Sequence, residues 1–393
     1  MYIPDDPFLG TYYIGEEEEK AVIEVIKSKS LFRYQGPNLL YKSDELEKIL
    51  SDLLGVKYVL LCNSGASALK LCCVANGIGP GDEVIMSPFT FIASANSVLS
   101  AGAIPVFSDI DESMNIDPSK IEEKITDRTK SIMTIHMQGF PCEMERIIEL
   151  AEKYNLTIIE DVAQAFGTKI NDKYLGTFGD CSAFSFQAGK TITCGEGGFF
   201  ATNDYDKFKI AKMYHDNGGF REGCDYPNWI NNGSIYGENY KITEIQSAIV
   251  IEQLKKLDMI VENQKNNFEY ITNRLIPNKY NFRKLIPGAK PIYTSISFVF
   301  NSKEECSKFI STMNKKSIPF RLYCNNLIYD YDTFKNKKSW HITNFPYNLG
   351  NYNDCICETS QNLFKKVAWL NLSASLTCEN LDYIINELNN YEK

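Results

Sequence analysis

Short apolar runs alternate with helical patterns through the first half of the chain. Helical spacing of apolar residues recurs at 67–74, 93–100, 118–125 and 144–154. The apolar runs have the length and composition of buried strands and occupy 58–62, 83–87, 105–108, 131–136, 157–159, 182–186 and 198–202. This alternation predicts an α/β fold in which helices cover a mostly parallel seven-stranded sheet. Ligands bind such sheets at the carboxyl ends of the strands, so we expect the functional site there.

The length of 393 residues suits one large domain and one smaller domain. We expect residues 1–30 to form an arm and a helix that pack with the smaller domain. Residues 31–262 are predicted to form the large domain. Residues 263–393, with a strand-like run at 293–300 and a final helix at 379–390, are predicted to form a smaller α+β domain.

Charge and apolar pattern limit the class of partner. A formal charge of -9 disfavours nucleic acid and anionic membranes, because neither attracts an acidic surface. No apolar run approaches the roughly 20 residues that cross a bilayer, and the amino terminus lacks the pattern of a signal peptide. The cysteines include no C-x-x-C pair, so neither a metal site nor a disulfide framework is expected. We therefore expect a cytoplasmic protein that binds small molecules.

The residues after the first two predicted strands suit an anion and an aromatic ring. Gly65, Ala66 and Ser67 form a small-residue turn that opens directly into a helix. Free backbone N–H groups at such a helix start bind phosphate, although a plain serine N-cap also explains the turn when it is taken alone. Phe91 follows the second strand at the same edge, where it suits either the core or a stacking platform.

The fifth and sixth predicted strands bring a carboxylate and an amine to this edge. Asp161 follows an apolar run, and a buried carboxylate needs a cation or hydrogen-bond donors; N-capping is the alternative role. Ser185 ends the sixth strand, and the loop after it carries a lone lysine, Lys190. Lost solvation favours the neutral, nucleophilic form of such an amine, whereas an ordinary surface lysine is the alternative. A P-loop is excluded because Phe184 stands where that motif needs a glycine.

A phosphate cradle, an aromatic ring, a carboxylate, a hydroxyl and an amine at one edge together predict a pyridoxal phosphate site. In such a site the amine bonds to the cofactor aldehyde, the carboxylate holds the pyridine nitrogen protonated and the aromatic ring stacks on the cofactor. The combination carries the prediction, since each residue taken alone has an ordinary structural role.

Five segments carry a resemblance to a known family: 63–69, 160–167, 185–190, 195–198 and 239–246. Over about residues 33–258 the chain resembles the sugar aminotransferases of the DegT/DnrJ/EryC1/StrS family, which have the fold type I aminotransferase architecture. The resemblance implies pyridoxal 5'-phosphate as the cofactor, Lys190 as the catalytic lysine that bonds to it and Asp161 as the partner of the pyridine nitrogen. The further cofactor-binding residues that it implies are Gly65, Ala66, Ser67, Phe91, Gln164, Ser185, Asn239 and Lys241.

The stretch from Asn239 to Lys241 resembles a segment that reaches into the neighbouring subunit's site, which implies a homodimer with shared active sites. Two positions depart from the family pattern. Ala66 replaces a residue that often carries a hydroxyl, and Gln187 stands where histidine is common. A glutamine at the second position resembles members that act on cyclitol ketones.

The resemblance implies transfer of an amino group from glutamate or glutamine to the carbonyl of a sugar. The sugar is expected to be nucleotide-linked or an octulosonate of the 8-amino-3,8-dideoxy type, for lipopolysaccharide or a related polysaccharide. One alternative is a glutamine-dependent cyclitol aminotransferase of the scyllo-inosose type. An alternative of another class is a non-catalytic regulator that binds the cofactor or a sugar. Substrate specificity is expected to lie in loops 221–232 and 325–351, which carry no motif.

Overall fold

A computed structural model describes residues 2–221, 235–349 and 356–392. Its strands are β1 Tyr58–Cys62, β2 Glu83–Met86, β3 Ile104–Phe107, β4 Thr129–Ile135, β5 Thr157–Asp161, β6 Lys169–Ile170, β7 Lys173–Tyr174, β8 Cys181–Ser185, β9 Gly198–Thr202, β10 Asn281–Phe282, β11 Ala289–Lys290, β12 Ser295–Val299 and β13 Val367–Asn371. Its α-helices are α1 Leu9–Tyr12, α2 Glu16–Ser28, α3 Lys42–Leu54, α4 Gly65–Ala75, α5 Ile92–Ser100, α6 Pro118–Ile121, α7 Met144–Tyr154, α8 Tyr205–His215, α9 Glu244–Leu254, α10 Leu257–Thr272, α11 Lys303–Lys315, α12 Asp332–Lys335, α13 Glu358–Leu363 and α14 Cys378–Asn389.

Seven strands form the central sheet, in the order β1-β9-β8-β5-β4-β2-β3. Neighbouring strands from β3 to β8 are parallel, whereas β9 runs antiparallel to both β8 and β1. The predicted α/β fold with a mostly parallel seven-stranded sheet is therefore confirmed. The fifth strand is longer than predicted, because Glu160 and Asp161 continue the ladder opposite Ser182 and Ala183 of β8. Asp161 is consequently the last residue of β5 and does not follow the strand.

Alternating side chains of β1 show why helices cover both faces of this sheet. Leu60 and Cys62 belong to one buried cluster, whereas Val59 and Leu61 belong to a second cluster on the other face. A strand that is apolar on both faces must be covered on both, which the flanking helices achieve. The strand ends are thereby held in a rigid layer from which the site residues project.

Residues beyond 263 build a second core around a three-stranded antiparallel sheet, β10-β12-β13. Helices α11 and α14 contribute to this core, in which the rings of Phe298 and Phe309 meet with their centroids 5.9 Å apart. A small sheet of order β11-β6-β7 ties this region back to the central one. The domain boundaries at residues 30 and 262 remain predictions.

The amino-terminal helix α2 packs on α9, within the range predicted for the large domain. Glu18 of α2 is buried, accepts a hydrogen bond from Gln253 and pairs with Lys256 at 2.7 Å. A buried carboxylate needs such partners, and here Gln253 lies in the last turn of α9 and Lys256 just after it. The predicted packing of this helix with the smaller domain is thus corrected. The arm before the helix does reach the smaller region, where Ile3 joins its buried core.

Three further observations bear on the sequence predictions. Within the described residues, no helix combines the length and the apolar character that a bilayer span requires. Most cysteines of the described part are buried. Of the predicted specificity loops, residues 222–232 and 350–351 lie outside the described residues.

Candidate active site

A cavity of about 520 Å³ opens at the carboxyl ends of four strands of the central sheet. Residues that follow β1, β2, β5 and β8 converge on it, as expected for a mostly parallel sheet. The predicted site residues that line it are Gly65, Ala66, Phe91, Asp161, Gln164, Ser185 and Lys190. The predicted site residues that are not among its described lining are Ser67, Asn239 and Lys241.

The first turn of α4 presents backbone donors to this cavity. Ser64 caps the helix, because its Oγ accepts the N–H of Ser67 at 3.1 Å. The N–H groups of Gly65 and Ala66 have no acceptor among the described residues. A Cβ on residue 65 would lie 2.7 Å from the Cβ of Ser185, so a glycine is needed for this close approach. The turn therefore suits an anion such as a phosphate group.

The hydroxyl of Ser67 takes part in the cap of α4. Its Oγ donates to Asn63 Oδ1 at 2.7 Å and lies 2.9 Å from Ser64 Oγ. Because these contacts hold the hydroxyl within the helix cap, Ser67 does not line the cavity. The predicted contact of Ser67 with the cofactor stays a prediction, whereas Ser185 lines the cavity together with Gly65 and Ala66.

Asp161 is a buried carboxylate at the end of β5. Its Oδ2 accepts the hydroxyl of Ser94 at 2.7 Å, and its Oδ1 accepts the N–H of Ala163 at 3.1 Å. Burial raises the pKa of this carboxyl, whereas the two hydrogen bonds and the charge of Lys190 act in the opposite direction. The two bonds fix the carboxylate beside the cavity, where it can accept a hydrogen bond from a protonated ring nitrogen.

Lys190 lies in the loop after β8, with its side chain partly buried and along the cavity. Burial lowers the pKa of its amine, and the nearby carboxylates of Asp161 and Glu196 oppose this shift. Within the described part of the chain, its Nζ makes no hydrogen bond or ion pair. An amine in these surroundings loses its proton more readily than a surface lysine and is then a nucleophile toward carbonyl carbon.

Gln187 fixes the turn that carries Lys190. Its backbone carbonyl accepts the N–H of Lys190 at 2.9 Å, and its side-chain Oε1 accepts the N–H of Gly189 at 2.8 Å. Its own N–H donates to Ser185 Oγ at 3.3 Å. Gln187 also lines the cavity. The glutamine that departs from the family pattern therefore both holds the loop and faces the space where a ligand binds.

Gln164 and Phe91 have different surroundings. Gln164 Oε1 accepts the N–H of Gln138 at 3.1 Å, and its Nε2 donates to the hydroxyl of Tyr323 at 3.3 Å. Phe91 is 63% exposed, so it belongs to the cavity and not to the core. An exposed ring beside a cavity suits a stacking platform, which is the second of the two roles that its position in the sequence allows.

Asn239 and Lys241 belong to a separate charged cluster. Lys241 Nζ pairs with Asp216 Oδ1 at 2.5 Å, and Arg221 pairs with the other oxygen of the same carboxylate. Asn239 lies opposite Asp216 in an isolated β-bridge. Neither Asn239 nor Lys241 lines the cavity of its own chain, so their predicted role in a neighbouring subunit's site stays a prediction.

Several residues at the cavity were missed from the sequence. They are Ser94, the arm residues Asp6, Pro7 and Leu9, and the smaller-region residues Thr294, Tyr323, Asn371 and Leu372. The position of Ser94 could have been predicted, because it lies three residues after Phe91, the N-cap of α5, and hence on the same side of that helix. The others reach the cavity through packing between distant parts of the chain, which no local pattern indicates.

This donor set fits pyridoxal phosphate. The free N–H groups of Gly65 and Ala66 beside Ser185 suit a phosphate, Asp161 suits a protonated ring nitrogen, and the Lys190 amine suits an aldehyde. Together with the seven-stranded sheet and the second, smaller core, they define a pyridoxal-phosphate-dependent enzyme of the fold type I aminotransferase class.

The chain belongs to the DegT/DnrJ/EryC1/StrS aminotransferase family, whose sequence model matches residues 12–389. The resemblance seen in the sequence is thereby confirmed, as are the transaminase class and the cofactor that it implied.

Three similar proteins show the range of relatives. GDP-perosamine synthase of Caulobacter vibrioides is 48% identical over 215 residues, which cover 54% of this chain and 56% of that protein. A Micromonospora echinospora protein, provisionally named L-glutamine:3-amino-2,3-dideoxy-scyllo-inosose aminotransferase, is 32% identical over 281 residues, 71% of this chain and 64% of the relative. The chain therefore matches less than two thirds of the length of either relative. The crystal structure of NtdA from Bacillus subtilis with bound cofactor PMP has a TM-score of 0.80 at 25% identity, and the match covers 99% of this chain and 85% of NtdA.

Proposed function

We propose that this protein transfers an amino group from glutamate or glutamine to the carbonyl of a nucleotide-linked keto-sugar. The observation that carries the proposal is the Lys190 amine, which faces the same cavity as the buried Asp161 carboxylate and the N–H groups of Gly65 and Ala66. The nucleotide-linked sugar is favoured over an octulosonate because the relative at 48% identity is a GDP-perosamine synthase.

Different residues of the chain have different roles in the proposed amino transfer. Pyridoxal phosphate, when bound, would supply an aldehyde carbon that takes up the amino group and a ring that withdraws electron density. Asp161 would hold a proton on the ring nitrogen, because Ser94 and the N–H of Ala163 keep the carboxylate in place and oppose the rise of its pKa that burial causes. Gly65, Ala66 and Ser185 would hold the phosphate.

Lys190 acts twice as a proton carrier in this proposal. Its neutral Nζ takes the α-proton from the amino donor, and in the second half of the reaction it returns a proton to the former carbonyl carbon of the sugar. Burial favours the neutral form that the first step needs, since it lowers the pKa of the amine. Both halves use the same cavity, so the keto acid leaves before the sugar enters.

A second candidate is a glutamine-dependent cyclitol aminotransferase. The observation that favours it is Gln187 at the cavity, together with the cyclitol named for the Micromonospora relative. A homodimer with shared active sites and a cytoplasmic location are part of the proposal in either case. The non-catalytic regulator is disfavoured, because a regulator has no need of an unpaired lysine amine beside a buried carboxylate.

The experiment follows the cofactor in each half of the reaction. Purified protein is loaded with pyridoxal phosphate, and glutamate, glutamine, GDP-perosamine and an amino-scyllo-inositol are each offered as amino donors. We expect glutamate or glutamine, and GDP-perosamine in the reverse direction, to convert the bound cofactor to pyridoxamine phosphate. Absorbance gives the rate, and mass spectrometry of the released cofactor gives the identity.

Lys190→Ala is expected to lower these rates by about 10²- to 10⁴-fold, the usual contribution of a general acid and base. The exposed Lys153→Ala is the matched control and should react like the wild type. Conversion by the amino-inositol but not by GDP-perosamine would select the cyclitol candidate. A wild type that binds the cofactor but converts it with none of the four compounds would favour the regulator.

A further inference from the structure

The amino-terminal arm, residues 2–12, crosses from the smaller region to the loop of Lys190. At its start, Ile3 is buried in the core of the smaller region, and Asn380 Nδ2 donates to the carbonyl of Tyr2 at 3.3 Å. Asp5 pairs with Arg321 of the same region. These contacts fix one end of the arm outside the central sheet.

The other end of the arm is bonded to the loop that carries the catalytic amine. Gly10 N–H donates to the carbonyl of Lys190 at 3.0 Å, and Thr11 Oγ1 donates to the carbonyl of Ala188 at 3.0 Å. A Cβ on residue 10 would lie 2.9 Å from the carbonyl oxygen of Thr191 and 3.0 Å from that of Lys190. The arm is therefore seated on backbone atoms of the loop, at a distance that leaves no room for a larger residue.

Between its two ends the arm forms one wall of the cavity, through Asp6, Pro7 and Leu9. Asp6 Oδ1 accepts the N–H of Phe8 at 2.9 Å, which orients the carboxylate. In the described part of the chain, Asp6 Oδ2 has no hydrogen-bond donor. Asp6 is exposed and lines the cavity, so this oxygen is accessible to a ligand.

The charge of this wall indicates which part of a nucleotide-linked sugar lies against it. Glu196 lines the same cavity, so two carboxylates border it at accessible positions. Carboxylates repel a diphosphate, but they accept strong hydrogen bonds from hydroxyl groups. The sugar ring, with its hydroxyl groups, is thus the better neighbour for the arm.

We propose that Asp6 is a specificity-determining residue that accepts hydrogen bonds from hydroxyl groups of the carbonyl substrate. The inference rests on the proposed function, since it concerns the second substrate of the same cavity. The arm then has two separable effects. Asp6 acts on the hydroxyl-bearing substrate alone, whereas Gly10 positions the Lys190 loop and acts on both halves of the reaction.

The test compares both halves in Asp6→Ala, Asp6→Asn and Gly10→Ala, each as the full chain loaded with pyridoxal phosphate. Asp6→Ala is expected to raise the concentration of GDP-perosamine for half-maximal rate about tenfold or more, the usual cost of a lost hydrogen bond to a charged group. The rate with glutamate or glutamine should stay within about twofold, because those donors carry no hydroxyl group. Asp6→Asn keeps an oxygen for the N–H of Phe8 and should show a smaller increase.

Gly10→Ala is the matched variant for a purely positioning effect and should slow both halves by the same factor. If Asp6→Ala slows both halves equally, Asp6 only supports the loop and the inference is wrong. If wild type converts the cofactor with GDP-perosamine and Asp6→Ala is unchanged, the inference fails while the proposed function stands. If wild type reacts with glutamate or glutamine but with neither GDP-perosamine nor an amino-scyllo-inositol, the proposed substrate class fails and the inference fails with it.

Discussion

Two lysines predicted for the site stand near buried aspartates, and their surroundings differ. Lys241 is ion-paired with Asp216 at 2.5 Å, in a cluster where Arg221 holds the second carboxylate oxygen. Lys190 lies near Asp161 without an ion pair, and the Asp161 oxygens are bonded to Ser94 and to a backbone N–H instead.

In the proposed function, this difference leaves the Lys190 amine available for reaction while the Lys241 amine is held in an ion pair. A close ion pair stabilises the protonated form of a lysine, which then is no nucleophile. Asp161 is held by neutral donors and forms no ion pair with Lys190, so the charge of Asp161 only partly opposes the lowering of the Lys190 pKa by burial. We infer that the hydrogen bonds of Asp161 to Ser94 and Ala163 help to leave the Lys190 amine outside an ion pair.

Among the variants that test this difference, Asp161→Asn is expected to have the largest effect on the rate of cofactor conversion. An amide cannot balance the positive charge of a protonated ring nitrogen, and removing one partner of a buried pair costs about 3–5 kcal/mol. Converted to a rate, this is a loss of about 10²- to 10⁴-fold in the glutamate or glutamine half of the reaction. The measurement is the single-turnover rate of cofactor conversion.

Ser94→Ala is the graded control for this prediction. It removes one of the two donors of Asp161 but keeps the carboxylate, so a smaller loss of about tenfold is expected. If Asp161→Asn reacts as fast as Ser94→Ala, the carboxylate charge is not what matters at this position, and the contrast between the two aspartates loses its chemical meaning.

A stability effect is expected on the other side of the comparison. In Asp216→Asn, the partly buried Lys241 and Arg221 face a neutral amide, and we expect the free energy of unfolding to fall by about 3 kcal/mol. Cofactor conversion within each chain's cavity should change less than in Asp161→Asn, since Lys241 does not line that cavity. Denaturant unfolding followed by circular dichroism measures the first effect.

Asp172→Asn is the matched control for Asp216→Asn. Its ion pair with Lys290 has side chains 78% and 63% exposed, and exposed pairs contribute about 0–1 kcal/mol. Equal losses in the two variants would show that the Lys241 cluster behaves as an ordinary surface pair. In that case the ion pair with Asp216 would not keep the Lys241 amine from taking part in the reaction.

The same two regions show what the sequence can and cannot predict. Gly65, Asp161 and Lys190 were predictable because each lies at the end of an apolar run, and the order of strands in a parallel sheet brings such ends to one edge. The position of Asp6 was not predictable, because it depends on an arm that packs against residues more than a hundred positions away. The pairing of Lys241 with Asp216 could not be predicted from the sequence either, since no helical or strand period connects residues 25 positions apart.

The smallest expected effect concerns pH and the histidine beside the Lys241 cluster. Burial, together with the charges of Arg33 and Lys241, lowers the pKa of His215 from 6.5 to about 3. Both ring nitrogens are buried without a hydrogen bond of ordinary geometry to the described residues, and the Asp216 carboxylate and the Lys212 backbone only partly oppose the shift. The unfolded chain therefore binds a proton between pH 6.5 and 3 that the folded chain does not bind.

The sign of the resulting pH dependence follows from that difference in bound protons. The free energy of unfolding is unaffected by His215 above about pH 6.5 and decreases as the pH falls from there toward 3. His215→Phe should flatten the decrease between pH 6.5 and 5, where most carboxylates remain ionised, whereas the exposed His341→Phe should leave it unchanged. Unfolding curves at several pH values measure the slope. An unchanged slope in His215→Phe would mean that protonated His215 finds a hydrogen-bond acceptor in the folded protein. Asp216 would then be shared between His215 and Lys241, and the ion pair of Lys241 would be weaker than its geometry indicates.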